Sequence, residues 1–209
     1  LELRDFEVHT PDSRVVGQLL FNTENGYGDF VNQVEITADF YQTSVSTSDL
    51  QAFYEPFGSG QQLEFSTSFK GYMNDFRLTD LDFQGMDRSI IIGDLVVQNL
   101  FAAENEVFSL VGQFDELSTN YYDLISLLPD ILGPKLPEQL AELGDVRGEG
   151  LAVVTNNSVD TDMVLTSDLG RVQVDMMLDN LDIAEEATYR GTIRATNFDV
   201  GRLTQVPDL

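Results

Sequence analysis

Apolar side chains recur at every second position through most of this chain. The clearest run places Val34, Ile36, Ala38 and Phe40 in one phase, with polar residues between them. Successive side chains of a β-strand point to opposite faces of a sheet, so this period predicts strands with one apolar and one polar face. We therefore expect an all-β, mainly antiparallel fold with a few short helices, built as an elongated, curved open sheet or groove.

The same phase defines a candidate surface. We expect its members to line one continuous apolar face: Val34, Ile36, Phe40, Leu63, Phe65, Phe69, Phe108, Leu110, Val172, Val174, Met176 and Leu178. A closed sandwich core and an open groove demand the same residue types, so the alternation alone leaves both arrangements open.

Short segments that break the strand period are predicted to be helices, near residues 49–55, 120–128, 138–143 and 198–203. Ser48, Asn120 and Asn197 offer side-chain oxygens to the free N–H groups of a first helical turn. Pro129 is expected to end the second helix, and Gly144 the third.

Some of these helical segments recur at a regular interval. Asp49-Leu50, Asp123-Leu124 and Asp199-Val200 are separated by 74 and 76 positions. A fixed period of this size is typical of proteins built from stacked supersecondary units. We therefore divide the chain into degenerate repeats of about 75 residues, with approximate bounds 1–56, 57–133 and 134–209.

The net charge argues against nucleic-acid partners, and the absence of cysteine excludes a disulfide scaffold. The chain has 36 acidic and 11 basic residues, a formal net charge of -25, and no cysteine. Affinity for nucleic acids comes largely from Lys and Arg displacing counterions, so we expect no nucleic-acid partner. A disulfide scaffold and thiolate metal sites are excluded. Because 42% of residues are apolar, the chain can still fold around apolar contacts.

Catalytic and metal-binding patterns are weak. His9 falls on the polar phase of a predicted strand, and nothing near it in sequence offers an orienting partner. Carboxylate pairs such as Asp80 with Asp82 arise by chance among so many acids, and residues 22–26 lack the acidic spacing of a calcium loop. We expect no enzyme activity, no metal and no cofactor.

Four stretches carry a resemblance to a known family. They are residues 48–53, 70–76, 123–144 and 196–209, which include Ser48-Asp49-Leu50, Lys70-Gly71-Tyr72 and Asn197-Phe198-Asp199. In their order and spacing the chain resembles the TamB (translocation and assembly module) proteins of the AsmA-like cell-envelope family, in the form found in Bacteroidetes-type bacteria. The chain begins within an alternating run, so we expect it to be a segment of a longer protein.

This resemblance implies a location and a function. Proteins of this family are periplasmic bridges of Gram-negative bacteria, anchored by an N-terminal inner-membrane helix that this sequence does not contain. Their repeated strands form a groove that conducts phospholipids between the two membranes and contributes to outer-membrane protein assembly. The implied partners are phospholipid acyl chains and, through other parts of the chain, an outer-membrane barrel protein of the TamA or BamA type. The resemblance brings no catalytic motif.

A second class of function stays open at this point. An extracellular or cell-envelope adhesive β-sandwich, with calcium bound in its loops, is compatible with the same strand pattern. Such a module should place aromatic residues and calcium ligands on exposed loops. Phe40, Phe65 and Phe108 instead share the apolar phase of the strands, which favours the groove.

Overall fold

The fold is a single antiparallel sheet whose strands follow one another in chain order. The computed structural model describes residues 1–24, 26, 28–52, 55–101, 106–127, 129–133, 136–181 and 185–206. Its eleven strands are β1 (Glu2–His9), β2 (Arg14–Asn22), β3 (Glu35–Ser46), β4 (Gln62–Gly71), β5 (Phe76–Gly85), β6 (Ser89–Gln98), β7 (Ser109–Thr119), β8 (Val146–Thr155), β9 (Val159–Ser167), β10 (Gly170–Asp179) and β11 (Thr188–Thr196). The sheet has the order β1 to β11 and is not closed. The predicted all-β, open-sheet fold is confirmed.

Short helices occupy the ends of the strands. They are α1 (Phe30–Gln33), α2 (Thr47–Leu50), α3 (Tyr121–Leu127), α4 (Pro129–Leu132), a 3₁₀ helix (Glu138–Leu143) and α5 (Val200–Thr204). All four predicted helical regions contain a helix. In α3 the N–H of Asp123 donates to Asn120 Oδ1, as predicted for the cap, and Gly144 follows the 3₁₀ helix with a φ of 66°.

The predicted helix caps were wrong at two places. Ser46, not Ser48, caps α2, and Ser48 Oγ instead accepts from the N–H of Gly60. Asp199, not Asn197, caps α5: its side chain accepts from the N–H of Arg202. As predicted, α3 ends before Pro129, which is also the first residue of α4, a position where proline loses no hydrogen bond.

One helix, α1, was not predicted. It lies in the β2–β3 connection, which contains Asn25-Gly26, a pair typical of two-residue hairpin turns. Asp29 caps it, with its side chain accepting from the N–H of Asn32. Asn25 lies outside the described residues, but the twelve residues from 23 to 34 between β2 and β3 make this connection longer than a two-residue turn.

Bulges bend the first half of the sheet. The register shifts once in each pairing from β1–β2 to β7–β8. Asp5 in β1, Gln42 in β3 and Asp80 in β5 stand at these shifts with φ near 50°. An inserted residue bends its strand and increases the local twist. Bulges at mid-strand in successive pairs therefore curve the sheet along a line that crosses the strands.

Several glycines allow neighbouring strands to approach closely. Gly93 and Gly191 have φ of 150° and 145°, and a Cβ on either would collide with a carbonyl of the neighbouring strand. Gly112 leaves room for the ring of Phe114, and Gly148 for the side chain of Leu165. Glycine therefore permits close backbone approach or makes space for a large neighbour.

The sheet exposes more surface than a compact protein of its mass. Its accessible surface is 13040 Å², whereas a compact monomer of 23.3 kDa exposes about 9,700 Å². Among the described residues, the buried apolar side chains are Val34, Ile36, Ala38, Leu63, Leu81, Val97, Met163 and Leu169. Only Val34, Ile36 and Ala38 form a buried cluster. Most of the apolar face is therefore half-buried, without a second layer of strands over it.

Hydrogen bonds fasten the strand ends along the margin that carries α2, α3 and α5. Asp49 in α2 accepts from the hydroxyls of Thr10 and Ser13 in the β1–β2 turn. Asp123 in α3 accepts from Arg88 N–H and Ser89 Oγ at the β5–β6 turn.

A short helix follows each of β3, β7 and β11, which are four strands apart. The proposed bounds of the repeats fall in connections between strands, and the division into units stays a prediction.

Candidate binding face

Strand register gathers the in-phase apolar residues on one side of the sheet. Phe65 in β4 lies opposite Phe83 in β5, and Val174 in β10 lies opposite Met163 in β9. We call this side the apolar face. Its apolar residues within the strands are Leu3, Phe6, Val8, Val15, Leu19, Phe21, Ile36, Ala38, Phe40, Val45, Leu63, Phe65, Phe69, Phe76, Leu78, Leu81, Phe83, Ile91, Leu95, Val97, Leu110, Phe114, Leu117, Val146, Ala152, Val154, Val159, Met163, Leu165, Val172, Val174, Met176, Leu178, Tyr189, Ile193 and Ala195.

The structure places the twelve predicted residues in two groups on this face. Ten of them lie in β3, β4, β7 and β10, and Val34 and Phe108 directly precede β3 and β7 in the same phase. β8 and β9 separate the β10 residues from the rest. Val34, Ile36 and Leu63 are buried, and the other nine are half-buried. Their predicted contact with acyl chains stays a prediction.

Several residues of the face were not predicted, because bulges hide their period. In β5, Phe76 and Leu78 share a phase, and Leu81 and Phe83 share the opposite one in sequence. The bulge at Asp80 returns all four to the same face. To place both runs on one face, one would have to know that the polar residue between them has a positive φ and forms a bulge. The sequence alone does not show φ.

Aromatic rings form a row across the first strands. Phe6 meets Phe40 with centroids 6.4 Å apart, and Phe40 meets Phe65 at 6.0 Å, both edge to face. Phe6 and Phe40 each lie opposite Gly17 in β2, which leaves space between them. Phe69 and Phe76 stack at 4.9 Å. These rings form a large part of the apolar surface in the bent part of the face.

Two of the hydroxyls on this face donate to backbone carbonyls. Thr43 Oγ1 donates to the carbonyl oxygen of Val16 at 3.2 Å, and Thr67 Oγ1 donates to that of Thr79 at 3.0 Å. Every buried side-chain nitrogen or oxygen among the described residues has a hydrogen-bond partner. The apolar face therefore offers a ligand methyl and methylene contacts and aromatic rings.

The opposite face carries exposed acidic residues, although Val96, Val111 and Val153 also lie side by side on it. Glu64, Asp82, Asp94, Glu116 and Asp162 alternate with residues of the apolar face and are exposed. Exposed carboxylates stay hydrated and repel one another across neighbouring molecules. This face keeps the sheet in water and holds anions away from it.

Titratable groups with distinct surroundings lie at the margins. Hydrogen bonds from Ser13 and Thr10 hold the pKa of Asp49 below its usual range. Hydrogen bonds from Arg14 and His9 do the same to the pKa of Glu7, and His9 Nε2 lies 2.8 Å from Glu7 Oε1. His9 is exposed in β1, as predicted, but the expectation that no nearby residue partners it was wrong, because Glu7 is two positions away.

The part of the chain that the structure describes holds no group of three or more His, Cys, Asp or Glu side chains placed to bind a metal ion. No helix among the same residues has the length and apolarity needed to cross a bilayer. The chain matches no family model, and no curated protein and no solved structure is similar to it.

Proposed function

We propose that this chain is part of a non-enzymatic bridge in the cell envelope of a Gram-negative bacterium, and that its apolar face conducts phospholipids between the inner and outer membranes. The observation that carries the proposal is the extent of this face. It runs over eleven strands in one open sheet, and most of it is half-exposed. Large contiguous apolar surfaces on monomeric proteins mark binding sites for proteins, membranes or ligands.

The chemistry of the face favours an acyl chain as its ligand. Burial of a methylene group is worth about 0.8 kcal/mol, so a tail of many methylenes binds without a single hydrogen bond. Thr43 and Thr67 direct their hydroxyls to backbone carbonyls, and these two positions therefore offer no free donor. A headgroup would stay in water at the margin of the sheet.

The curvature and length of the sheet suit transport along it. Ten steps between neighbouring strands, at about 4.8 Å each, give a path of about 48 Å across the strands. The bulges at Asp5, Gln42 and Asp80 bend the strands along that path, and a trough results. Because the contacts are non-directional, a tail slides along such a trough without breaking specific bonds.

The wider assignment rests on the resemblance to the TamB proteins of the AsmA-like family. We propose that the longer protein is anchored in the inner membrane at its N-terminus. Other parts of the chain would engage an outer-membrane barrel protein of the TamA or BamA type and contribute to outer-membrane protein assembly.

Lipid capture from vesicles tests the proposal. The purified chain is incubated with vesicles of phosphatidylethanolamine and phosphatidylglycerol, separated from them, and its bound lipids are measured by mass spectrometry. We expect bound phospholipid in the parent chain and in Gln173→Asp, which adds a charge on the polar face. Val174→Asp puts the same charge on the apolar face and should lose most of the lipid.

The same experiment distinguishes the adhesive alternative. A folded parent chain that captures no lipid, or equal capture by Val174→Asp and Gln173→Asp, contradicts the lipid proposal. A calcium-dependent rise in the melting temperature without lipid capture would favour a calcium-binding adhesive module.

A further inference from the structure

Two asparagine–leucine pairs occupy equivalent places at one margin of the sheet. Asn99-Leu100 follows β6, and Asn180-Leu181 follows β10, four strands later. Both asparagines have a left-handed backbone, with φ of 53° and 57°, a conformation in which asparagine is enriched. We call the margin that carries Leu100 and Leu181 the leucine margin, and the opposite one, which carries α2, α3 and α5, the helix margin.

The side chains of the two asparagines make the same contact. Asn99 Nδ2 donates to the carbonyl oxygen of Val107 at 2.9 Å, and Asn180 Nδ2 donates to that of Glu186 at 3.3 Å. Each amide thus joins the start of a connection to the chain that returns towards the next strand. Both turns are held by bonds that do not involve the leucine side chains.

The two leucines are fixed at this margin and remain exposed. The N–H of Leu100 donates to the carbonyl oxygen of Asn74 at 3.0 Å, and that of Leu181 donates to the carbonyl oxygen of Asn157 at 2.9 Å. The leucines are nevertheless 42% and 45% exposed. Burial of a leucine side chain is favourable, so a backbone that exposes one twice in the same way indicates a contact made when a ligand is bound.

The leucine margin is continuous with the apolar face. Each leucine follows by three positions a residue of that face, Val97 in β6 and Leu178 in β10. In the β2–β3 connection, four strands before the first leucine, Phe30 is 47% exposed and its ring meets that of Phe21 with centroids 5.8 Å apart. Exposed apolar side chains therefore recur along this margin at a spacing of four strands, about 19 Å.

The helix margin is occupied by elements that contact one another. α3 packs against α4 and the 3₁₀ helix, and the 3₁₀ helix packs against α5. Arg202 in α5 pairs with Glu142 at 3.0 Å, and the N–H of Gly58 in the β3–β4 connection donates to the carbonyl oxygen of Leu127 in α3. A ligand that reached the apolar face from this side would have to pass these elements.

We propose that acyl chains enter and leave the apolar face over the leucine margin, and that Leu100 and Leu181 contact the tail as it leaves water. This inference rests on the proposed lipid function and specifies how lipid reaches the face. The tail would meet a leucine before it meets Val97 or Leu178, so its contacts are apolar from the start. A protein partner fits these points less well, because side chains about 19 Å apart do not form one contiguous patch.

The rate of lipid uptake tests this inference. The chain is mixed rapidly with vesicles of phosphatidylethanolamine and phosphatidylglycerol that contain a self-quenched fluorescent phosphatidylethanolamine, and the rise in fluorescence gives the rate constant of uptake. Leu100→Asp/Leu181→Asp should lower this rate constant by about tenfold, which is about 1.4 kcal/mol in the barrier. The amount of lipid bound at equilibrium and the melting temperature should stay those of the parent.

The matched control is Tyr122→Asp/Val200→Asp, which replaces two exposed apolar side chains and adds two charges at the helix margin. It should take up lipid at the parent's rate. Equal rates in all three proteins, a slower control than leucine variant, or less lipid bound at equilibrium by the leucine variant would overturn the inference and leave the lipid proposal standing. A parent chain that binds no lipid would overturn both.

Discussion

The first seven strands and the last four build one apolar face from different side chains. In β1–β7 the face carries phenylalanine in six of the strands, including Phe40, Phe65 and Phe114, and the register shifts at mid-strand bulges. In β8–β11 it has no phenylalanine, and the three pairings there are regular. Aliphatic side chains, methionine and glycine make up most of the face there, and Tyr189 in β11 supplies an aromatic ring.

The two regions differ most in how well the face is covered. In the first region, Val34 is 0% exposed and packs with Ile36 and Ala38 under Phe40 and Phe69. In the second, Ile193 is 59% exposed and the apolar residues of β10 are half-buried. Rings and bends create a local core from the alternating pattern, whereas in the regular aliphatic strands β8–β11 only Met163 among the described apolar residues is buried. The open region is therefore the better candidate for ligand contact.

The largest effect is expected from a charge placed in each region. Val34→Asp buries a carboxylate without a partner and should cost about 3–5 kcal/mol of unfolding free energy, or prevent folding. Val174→Asp lies on the half-exposed face and should cost about 1 kcal/mol or less. Urea denaturation followed by far-ultraviolet circular dichroism measures both. Comparable losses in the two variants would show that β10 is part of a closed core.

A smaller effect is expected at the margin that joins the two regions. Asp123→Ala removes a buried acceptor and leaves Arg88 N–H and Ser89 Oγ without it, so we expect a loss of about 1.5–3 kcal/mol. Arg88→Ala removes only the exposed ion pair with Asp145 and should cost less than about 1 kcal/mol. The same urea denaturation measures both variants. If Arg88→Ala were the more damaging, the ion pair and not the buried carboxylate would hold the margin.

The smallest effect concerns pH. Because the pKa of Asp49 is lowered in the folded chain, its contribution to stability is present above the usual aspartate pKa and is lost as pH falls through the folded value. Asp49→Asn should therefore flatten the fall of the urea midpoint between about pH 5 and about pH 2. Asp82→Asn, on the exposed polar face, serves as the control. If the urea midpoints of the parent and of Asp49→Asn fell in parallel as the pH is lowered, this role of Asp49 would be contradicted.

Regular strands were predictable and bent ones were not. Val172, Val174, Met176 and Leu178 alternate without interruption, because β10 has no bulge, and the sequence places all four on one face. Leu81 and Phe83 were missed, since the bulge at Asp80 changes their phase. Alternation in the sequence therefore predicts the face on which a strand residue lies only as far as the next bulge.

A contact across a loop accounts for the error at the start of α2. Ser48 Oγ accepts from the N–H of Gly60, 12 positions further along the chain, and Ser46 caps the helix instead. Whether the face is a core or a groove was open for a similar reason. Residue type sets apolarity, whereas exposure depends on what covers each residue.

Photo-crosslinking across the sheet tests the central claim most directly. A photoreactive amino acid is placed at Val174 or Phe65 on the apolar face, and at the neighbouring positions Gln173 or Glu64 on the polar face. The protein is irradiated in cells and the adducts are analysed for lipid. We predict phospholipid adducts at Val174 and Phe65 and none at Gln173 and Glu64. Adducts to protein alone at Val174 and Phe65, or equal lipid labelling of both faces, would contradict an open lipid-binding face.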